Sequence, residues 1–147
     1  MADVEAKVGI EFDQSRLGQI LGETEITVTE EVILRYSKAT GETDPKYTTP
    51  GPDLIAPPAI CAIIQVPRGD LEINFPFAKV TVYGSAALYP YIPIRAGDKL
   101  RATAKLADVY TKTGRSGPMG FVVYENEFMR EDGTLVARTQ NTFISRA

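Results

Sequence analysis

Polar and apolar positions alternate through most of this chain, and one stretch breaks the pattern. Residues 54–66 carry no charge, and Ala59, Ile60, Ala62, Ile63, Ile64 and Val66 leave almost no polar face. A helix that is apolar on every side is a buried helix. Pro57 and Pro58 open the stretch, where a first helical turn tolerates them because those N–H groups lack an intrahelical partner. Pro67 and Gly69 close it. The pattern predicts a core helix of about two to three turns, far too short to span a bilayer. A fully buried strand is the alternative, since a short apolar run fits both.

The flanks read differently. Residues 1–12 are polar and expected to be loosely held. Residues 23–28 alternate as a first strand. Thr29 is placed to cap a helix whose first turn holds Glu30 and Glu31, acids that favour the positive end of the helix dipole. Val32, Ile33, Tyr36 and Ala39 follow at helical spacing, and Gly41 is a plausible stop. Residues 48–53 are turn-rich, and residues 67–70 form a loop. From Leu71 onward the chain reads as all strand. Val80 and Val82 alternate with Thr81 and Tyr83. Ala96-Gly97-Asp98 is a turn. Leu100, Ala102, Ala104 and Leu106 alternate with Arg101, Thr103 and Lys105 as a half-buried strand. A glycine-containing connection at 113–118 leads to a long strand at 119–130. Glu131-Asp132-Gly133 is a hairpin signal, and 135–145 is the last strand. The predicted order is strand, helix, loop, buried helix, then an antiparallel meander of about four strands. A single curved sheet around one apolar helix is an α+β solution. The 147 residues make one domain of ordinary size, 1–147, with no internal repeat.

Composition narrows the chemistry. The net charge of -3 speaks against nucleic acid as a partner. The polar start reads as no signal peptide, and the one cysteine, Cys61, excludes an intramolecular disulfide, so a cytoplasmic protein without membrane attachment is expected. Cys61 sits in the apolar stretch and reads as a packing thiol. The chain has no histidine. A zinc site and any Ser-His or Cys-His triad are therefore not expected, and no metal or cofactor is called for. Acid–base chemistry would have to use Asp, Glu, Lys or Tyr.

Four segments, taken in order, carry a family likeness: Gly41-Glu42-Thr43-Asp44-Pro45-Lys46-Tyr47, Ala56-Pro57, Ile92-Pro93-Ile94-Arg95-Ala96-Gly97-Asp98 and Gly133-Thr134-Leu135-Val136. With them the chain resembles the MaoC-like hydratases, in particular the N-terminal, fatty-acid-synthase-type dehydratase branch, from about residue 22 to 146. The resemblance implies a hotdog fold. It also implies a reaction: reversible addition of water across an α,β-unsaturated acyl thioester, giving an (R)-3-hydroxyacyl thioester. Coenzyme A or acyl carrier protein would carry the substrate.

Active members of that family use an Asp and a His five residues apart. The resemblance puts Glu42 at the Asp position, Asp44 and Pro45 at the following Asn-Pro, and Tyr47 at the His. Glu keeps a carboxylate, displaced by a methylene. Tyr is a larger loss, since a phenol titrating near ~10 is a poor base at neutral pH. Active members also place a His-Gly pair at the start of the buried helix, whose Gly N–H supports the thioester carbonyl. Ala56 and Pro57 match that pair, and proline has no N–H. Asp44-Pro45 reads equally as a loop turn. Arg95, Lys112 and Arg115 read either as contacts for coenzyme A phosphates or as solvated charges.

These losses resemble those of the degenerate half in heterodimeric and double-hotdog members, which shapes the acyl tunnel for a His-bearing half. Three readings follow. The chain is a silent subunit of a MaoC-like hydro-lyase, forming a heterodimer with the His-bearing MaoC-like subunit it needs; or an active homodimeric lyase using Glu42, Asp44 or Tyr47 in an altered mechanism; or a non-enzymatic acyl-thioester binding module or hotdog thioesterase.

Overall fold

The computed structural model describes residues 10–147. Strand β1 (Ile20–Val28) leads into helix α1 (Glu30–Ala39) and the one-turn helix α2 (Pro45–Thr48). Then come β2 (Ile55–Ala56), a 3-10 helix (Pro58–Ile63), β3 (Val80–Pro90), β4 (Ile94–Arg95), β5 (Asp98–Gly114), β6 (Gly117–Arg130) and β7 (Leu135–Arg146). One antiparallel five-stranded sheet has the order β1-β5-β6-β7-β3, and β2 pairs with β4 apart from it. The expected α+β arrangement, a curved sheet about a central helix, is what the chain adopts.

The meander is shorter than expected. Only β5, β6 and β7 follow one another, while β3 lies at the far edge against β7. The cause is local: residues 94–95 leave the sheet to pair with β2, and the chain re-enters between β1 and β6. Residues 71–79 are not strand, apart from the bridge between Asn74 and Glu11. That bridge also corrects the reading of residues 10–12. Glu11 and Asn74 exchange two backbone hydrogen bonds of 2.8 Å, and Ile10 is buried. The rest of the supposed loose start, residues 1–9, lies outside the described residues.

The central helix also differs. A helix of about two to three turns within residues 56–66 is expected, and the helical part is the six residues Pro58–Ile63, 3-10 rather than α. Two successive prolines remove two backbone donors, and Ile60 N–H donates to Pro57 C=O at 2.9 Å in the tighter i→i+3 pattern. Nor is it buried all round. Ile60 and Cys61 are buried, whereas Ala62 is exposed and Ile63 is 59% exposed. One sheet can cover only one side of a helix.

The sheet's inner face follows the alternation. Leu100, Ala102, Ala104 and Leu106 are all buried, while the outer face carries ion pairs of Lys105 with Glu127 at 3.2 Å and Arg138 with Glu125 at 2.7 Å. Two apolar clusters form on the inner face. The larger joins Ile33, Leu54, Ile60, Leu100, Phe128 and Val136; the smaller joins Ile10, Leu21, Phe75, Leu106 and Val122. The segment after the 3-10 helix crosses over the sheet between them. It is seated at two glycines. A Cβ on Gly22 would lie 2.2 Å from the Pro67 carbonyl oxygen, and one on Gly120 would lie 2.4 Å from the Phe75 ring. Only glycine admits such close approach.

Candidate functional site

The loop after α1 is built by its own side chains. Gly41 takes φ +71 past the helix end, Gly41 N–H donates to Lys38 C=O at 3.3 Å, and Glu42 N–H donates to Ser37 C=O at 2.9 Å. A left-handed glycine there is the usual way to end a helix while using its last carbonyls. Glu42 Oε1 accepts from the N–H groups of Thr43 and Asp44, each at 3.0 Å. Asp44 Oδ1 caps α2 by accepting from Lys46 N–H at 3.1 Å, with Pro45 at the first helical position. The buried Ser37 hydroxyl donates to Tyr47 C=O at 2.9 Å and ties the two helices together. Lys46 Nζ lies 3.6 Å from Asp44 Oδ2 and 4.9 Å from the Tyr47 ring centre. Tyr47 first, and then Asp44, push its ammonium pKa upward.

Glu42, Asp44 and Tyr47 therefore do fall in one loop. Within it both carboxylates are engaged by backbone donors, as caps are. Ala56 and Pro57 lie at the entry to the 3-10 helix, both buried, with Ala56 fixed in the β2–β4 pair opposite Ile94. Neither Pro57 nor Pro58 has an N–H, so the helix entry offers no backbone donor until Ala59. The basic residues do not gather. Arg95 is exposed beside the turn into β5, its N–H donating to Asp98 Oδ2 at 2.9 Å. Lys112 lies near the other end of β5, roughly 45 Å along the strand at ~3.3 Å per residue. There its ammonium sits 5.6 Å from the ring centres of Tyr110 and Phe121. Arg115 is exposed in the β5–β6 turn. One chain cannot bring all three to a single phosphate cluster.

Two cavities flank the 3-10 helix. One, of about 520 Å³, lies between its C-terminal end and the inner face of the sheet. Cys61, Ala62, Ile64 and Val66 supply apolar walls; Gln65, Arg68, Tyr83, Asn126, Thr139 and Asn141 supply polar ones. Asn126 Oδ1 and Thr139 Oγ1 are closed off without a hydrogen-bond partner among the described residues. The Tyr83 hydroxyl donates to Asn141 Oδ1. Arg68 stacks over Tyr124 at 4.1 Å and Phe143 at 5.1 Å. Burial raises the Tyr124 pKa, against the pull of Arg68. Burial also raises the Cys61 thiol to about 12. The second cavity, of about 380 Å³, is mainly apolar, between β1, α1 and residues Ile60, Ile63 and Ile64. Sequence reading assigns none of these polar residues to a site. The available signal was parity: Asn126 and Thr139 stand opposite each other at inward positions, where Phe128 and Ala137 are apolar. Among the described residues no group of acids and cysteine could hold a metal, and no helix is long and apolar enough to cross a membrane.

A five-stranded antiparallel sheet curved over a short central helix is the hotdog fold of MaoC-like hydratases and dehydratases. The chain matches the family described as FAS1-like, dehydratase domain region, over residues 15–139, and it belongs to that family. In sequence it is similar to a UPF0336 protein of Saccharopolyspora erythraea, 25% identical over 148 residues, covering 92% of each. In structure it is similar to the C-terminally truncated HadBC (3R-hydroxyacyl-ACP dehydratase) complex of Mycobacterium tuberculosis. That match has a TM-score of 0.66 and 20% identity, covering 88% of this chain and 96% of that one. It is also similar to the ChsH1-ChsH2 complex of the same organism, with a TM-score of 0.63 and 15% identity, covering 99% and 88%. At these identities the structural likeness carries the fold.

Proposed function

We propose that this chain is the silent subunit of a hydro-lyase acting on enoyl and 3-hydroxyacyl thioesters of coenzyme A or acyl carrier protein. A histidine-bearing MaoC-like subunit is its partner. One observation carries this reading. The loop where active relatives hold an acid and a histidine has both carboxylates bound to its own backbone and a tyrosine in place of the histidine. The neighbouring helix entry supports the same reading, because two prolines there leave no N–H for a thioester carbonyl. Such a chain contributes walls rather than proton transfer.

The partner surface is the open edge of β3. Among the described residues that strand pairs only with β7, and it exposes Val80, Val82, Tyr83 and Tyr89, with Tyr91 just beyond. An apolar sheet edge in water invites another strand. HadBC and ChsH1-ChsH2 are complexes of two named components, and a paired arrangement is carried over from them here.

The experiment is mutagenesis in the reconstituted pair. With a His-bearing subunit present, Tyr47→Phe and Glu42→Gln in this chain should leave the hydration rate of a trans-2-enoyl thioester within a few-fold of the unaltered complex. If either variant abolishes turnover while the complex still assembles, this chain carries the chemistry, and an altered-mechanism lyase replaces the proposal.

A further inference from the structure

Arg68 brings a positive charge to the wall of the 520 Å³ cavity, and no acid answers it. The residue is half-buried in the segment that crosses the sheet after the 3-10 helix. Its guanidinium lies 4.1 Å from the ring centre of Tyr124 and 5.1 Å from that of Phe143. Stacking of this kind uses the flat face of the guanidinium and leaves the N–H edge for acceptors in its plane. Among the described residues, the ion pairs all belong to other cations. Asp70 and Glu72 in its own segment are exposed, and neither pairs with it. No Asp or Glu lines the cavity, nor the smaller one of about 270 Å³ that Arg68 also borders. The strands beneath explain why. Neither β3 nor β7 contains an acid, and β6 has none before Glu125, which faces outward to Arg138. A cation partly withdrawn from water and left unpaired is unfavourable, and a neutral side chain would avoid that.

The neighbouring polar group also presents protons. Tyr124 faces Asn141 across β6 and β7, and Phe143 stands two residues further along β7 on the same face. A guanidinium over Tyr124 and Phe143 therefore lies beside Asn141. The Tyr83 hydroxyl donates to Asn141 Oδ1, which engages the acceptor end of that amide and leaves its NH2 group.

We propose that Arg68 and Asn141 form an oxyanion subsite in this cavity, which holds a carboxylate or phosphate group of the bound thioester. The inference rests on reading the chain as an acyl-thioester subunit, and adds the charge that its ligand carries. A carboxylate or a phosphate offers two oxygens to the guanidinium fork and a further lone pair to the amide NH2, and it brings the missing charge. A ketone or hydroxyl brings an oxygen without the charge. Two parts of a thioester could supply the anion: a carboxylate at the far end of the acyl chain, or the phosphates of the carrier. The cavity lies at the C-terminal end of the 3-10 helix, roughly 12 Å at ~2.0 Å per residue from the Ala56-Pro57 entry, where the thioester carbonyl is expected. The anion thus binds at a distance from the reacting carbons, with Ala62, Ile64 and Val66 as apolar walls.

The test is calorimetric titration of the full chain, alone and with a His-bearing MaoC-like subunit. The probes are four ten-carbon acyl thioesters: of pantetheine, which has no phosphate, or of coenzyme A, each with the chain ending in a methyl group or in a carboxylate. One added anion should tighten binding roughly tenfold or more, the worth of charge-assisted hydrogen bonds. A gain from the terminal carboxylate assigns the anion to the acyl chain, and a gain from coenzyme A over pantetheine assigns it to the carrier. Arg68→Gln should erase that gain while the methyl-ended pantetheine probe binds as before. Asn141→Asp should erase it too, because it keeps the acceptor for Tyr83 and sets a competing carboxylate beside Arg68. This variant reports even if Arg68→Gln folds poorly. If neither anion tightens binding, or if the gain survives both substitutions, the subsite is overturned while binding of the methyl-ended probes leaves the thioester reading standing. If no probe binds, even in the complex, both fall.

Discussion

Gly22→Ala puts one methyl group where the segment roofing the large cavity crosses β1. The added carbon would lie 2.2 Å from the Pro67 carbonyl oxygen, 2.8 Å from its carbon and 3.2 Å from Pro67 Cβ. An ordinary carbon–oxygen contact is longer by about 1 Å, and the obstacle is backbone rather than a side-chain tip that can swing aside. Overpacking of this kind costs about 1–3 kcal/mol. Alanine opposes that by restricting the unfolded chain, which stabilises by about 0.4–1 kcal/mol where the backbone conformation suits it. Gly22 is paired in β1 opposite Ala104 and has no positive φ, so the offset applies. The net expectation is a loss of ~1–2 kcal/mol, or about 3–8 °C in melting temperature for a chain of this size. Thermal unfolding followed by circular dichroism reads it directly. Gly114→Ala is the control. Its added carbon meets Met119 Cε at an ordinary 3.5 Å and Gly114 too has no positive φ, so this variant should be neutral or more stable by up to about 1 kcal/mol. Because Gln65, Val66 and Arg68 flank Pro67 and line the cavity, Gly22→Ala should also weaken acyl-coenzyme A binding. If Gly22→Ala is as stable as Gly114→Ala, the close crossing is wrong.

Ser37→Ala should cost ~1–2 kcal/mol in a urea titration, because it leaves the Tyr47 carbonyl without its 2.9 Å donor and frees α2 from α1. An unchanged midpoint would contradict that tie. Cys61 should react slowly with thiol reagents in native protein and rapidly in denaturant, since a thiol at about 12 is ionised only to about 10⁻⁴ at pH 8. Linkage gives the matching sign. The folded chain holds a proton that the unfolded thiol, near 9, has released, so stability falls as pH rises from 9 toward 12. Cys61→Ala should flatten that part of the curve relative to the unaltered chain, and an identical slope would contradict the burial.

The strands were legible because their periodicity is physical. Leu100, Ala102, Ala104 and Leu106 face the core while Arg101 and Lys105 face away, and a period of two admits little else. Thr29 and Gly41 bound α1 as expected, because capping depends on neighbours in sequence. The central helix was legible only as an apolar segment. Whether two prolines yield α or 3-10, and which face stays open, depends on distant strands. The position of β3 against β7 was equally hidden, since alternation says a strand exists and not where it pairs. The loop carrying Glu42, Asp44 and Tyr47 was legible as a motif, while the capture of both carboxylates by backbone donors shows only in three dimensions. The polar cavity escaped notice because Asn126 and Thr139 sit in otherwise ordinary strands, and their parity becomes telling only once β6 and β7 are set in register.

The central claim is that this chain does not move the proton itself. Its most direct test is the hydration rate of a trans-2-enoyl-coenzyme A by the isolated chain, followed as loss of the enoyl thioester absorbance, against the same chain with a His-bearing MaoC-like subunit. Removing one oxyanion donor slows such sites by about 10²–10³, and removing general acid–base help by about 10²–10⁴. The two need not multiply, because groups acting as a unit are not additive. The account predicts an isolated-chain rate at least roughly a hundredfold below that of the complex. Turnover by the isolated chain at the rate of the complex, abolished by Glu42→Gln or Tyr47→Phe, would contradict it.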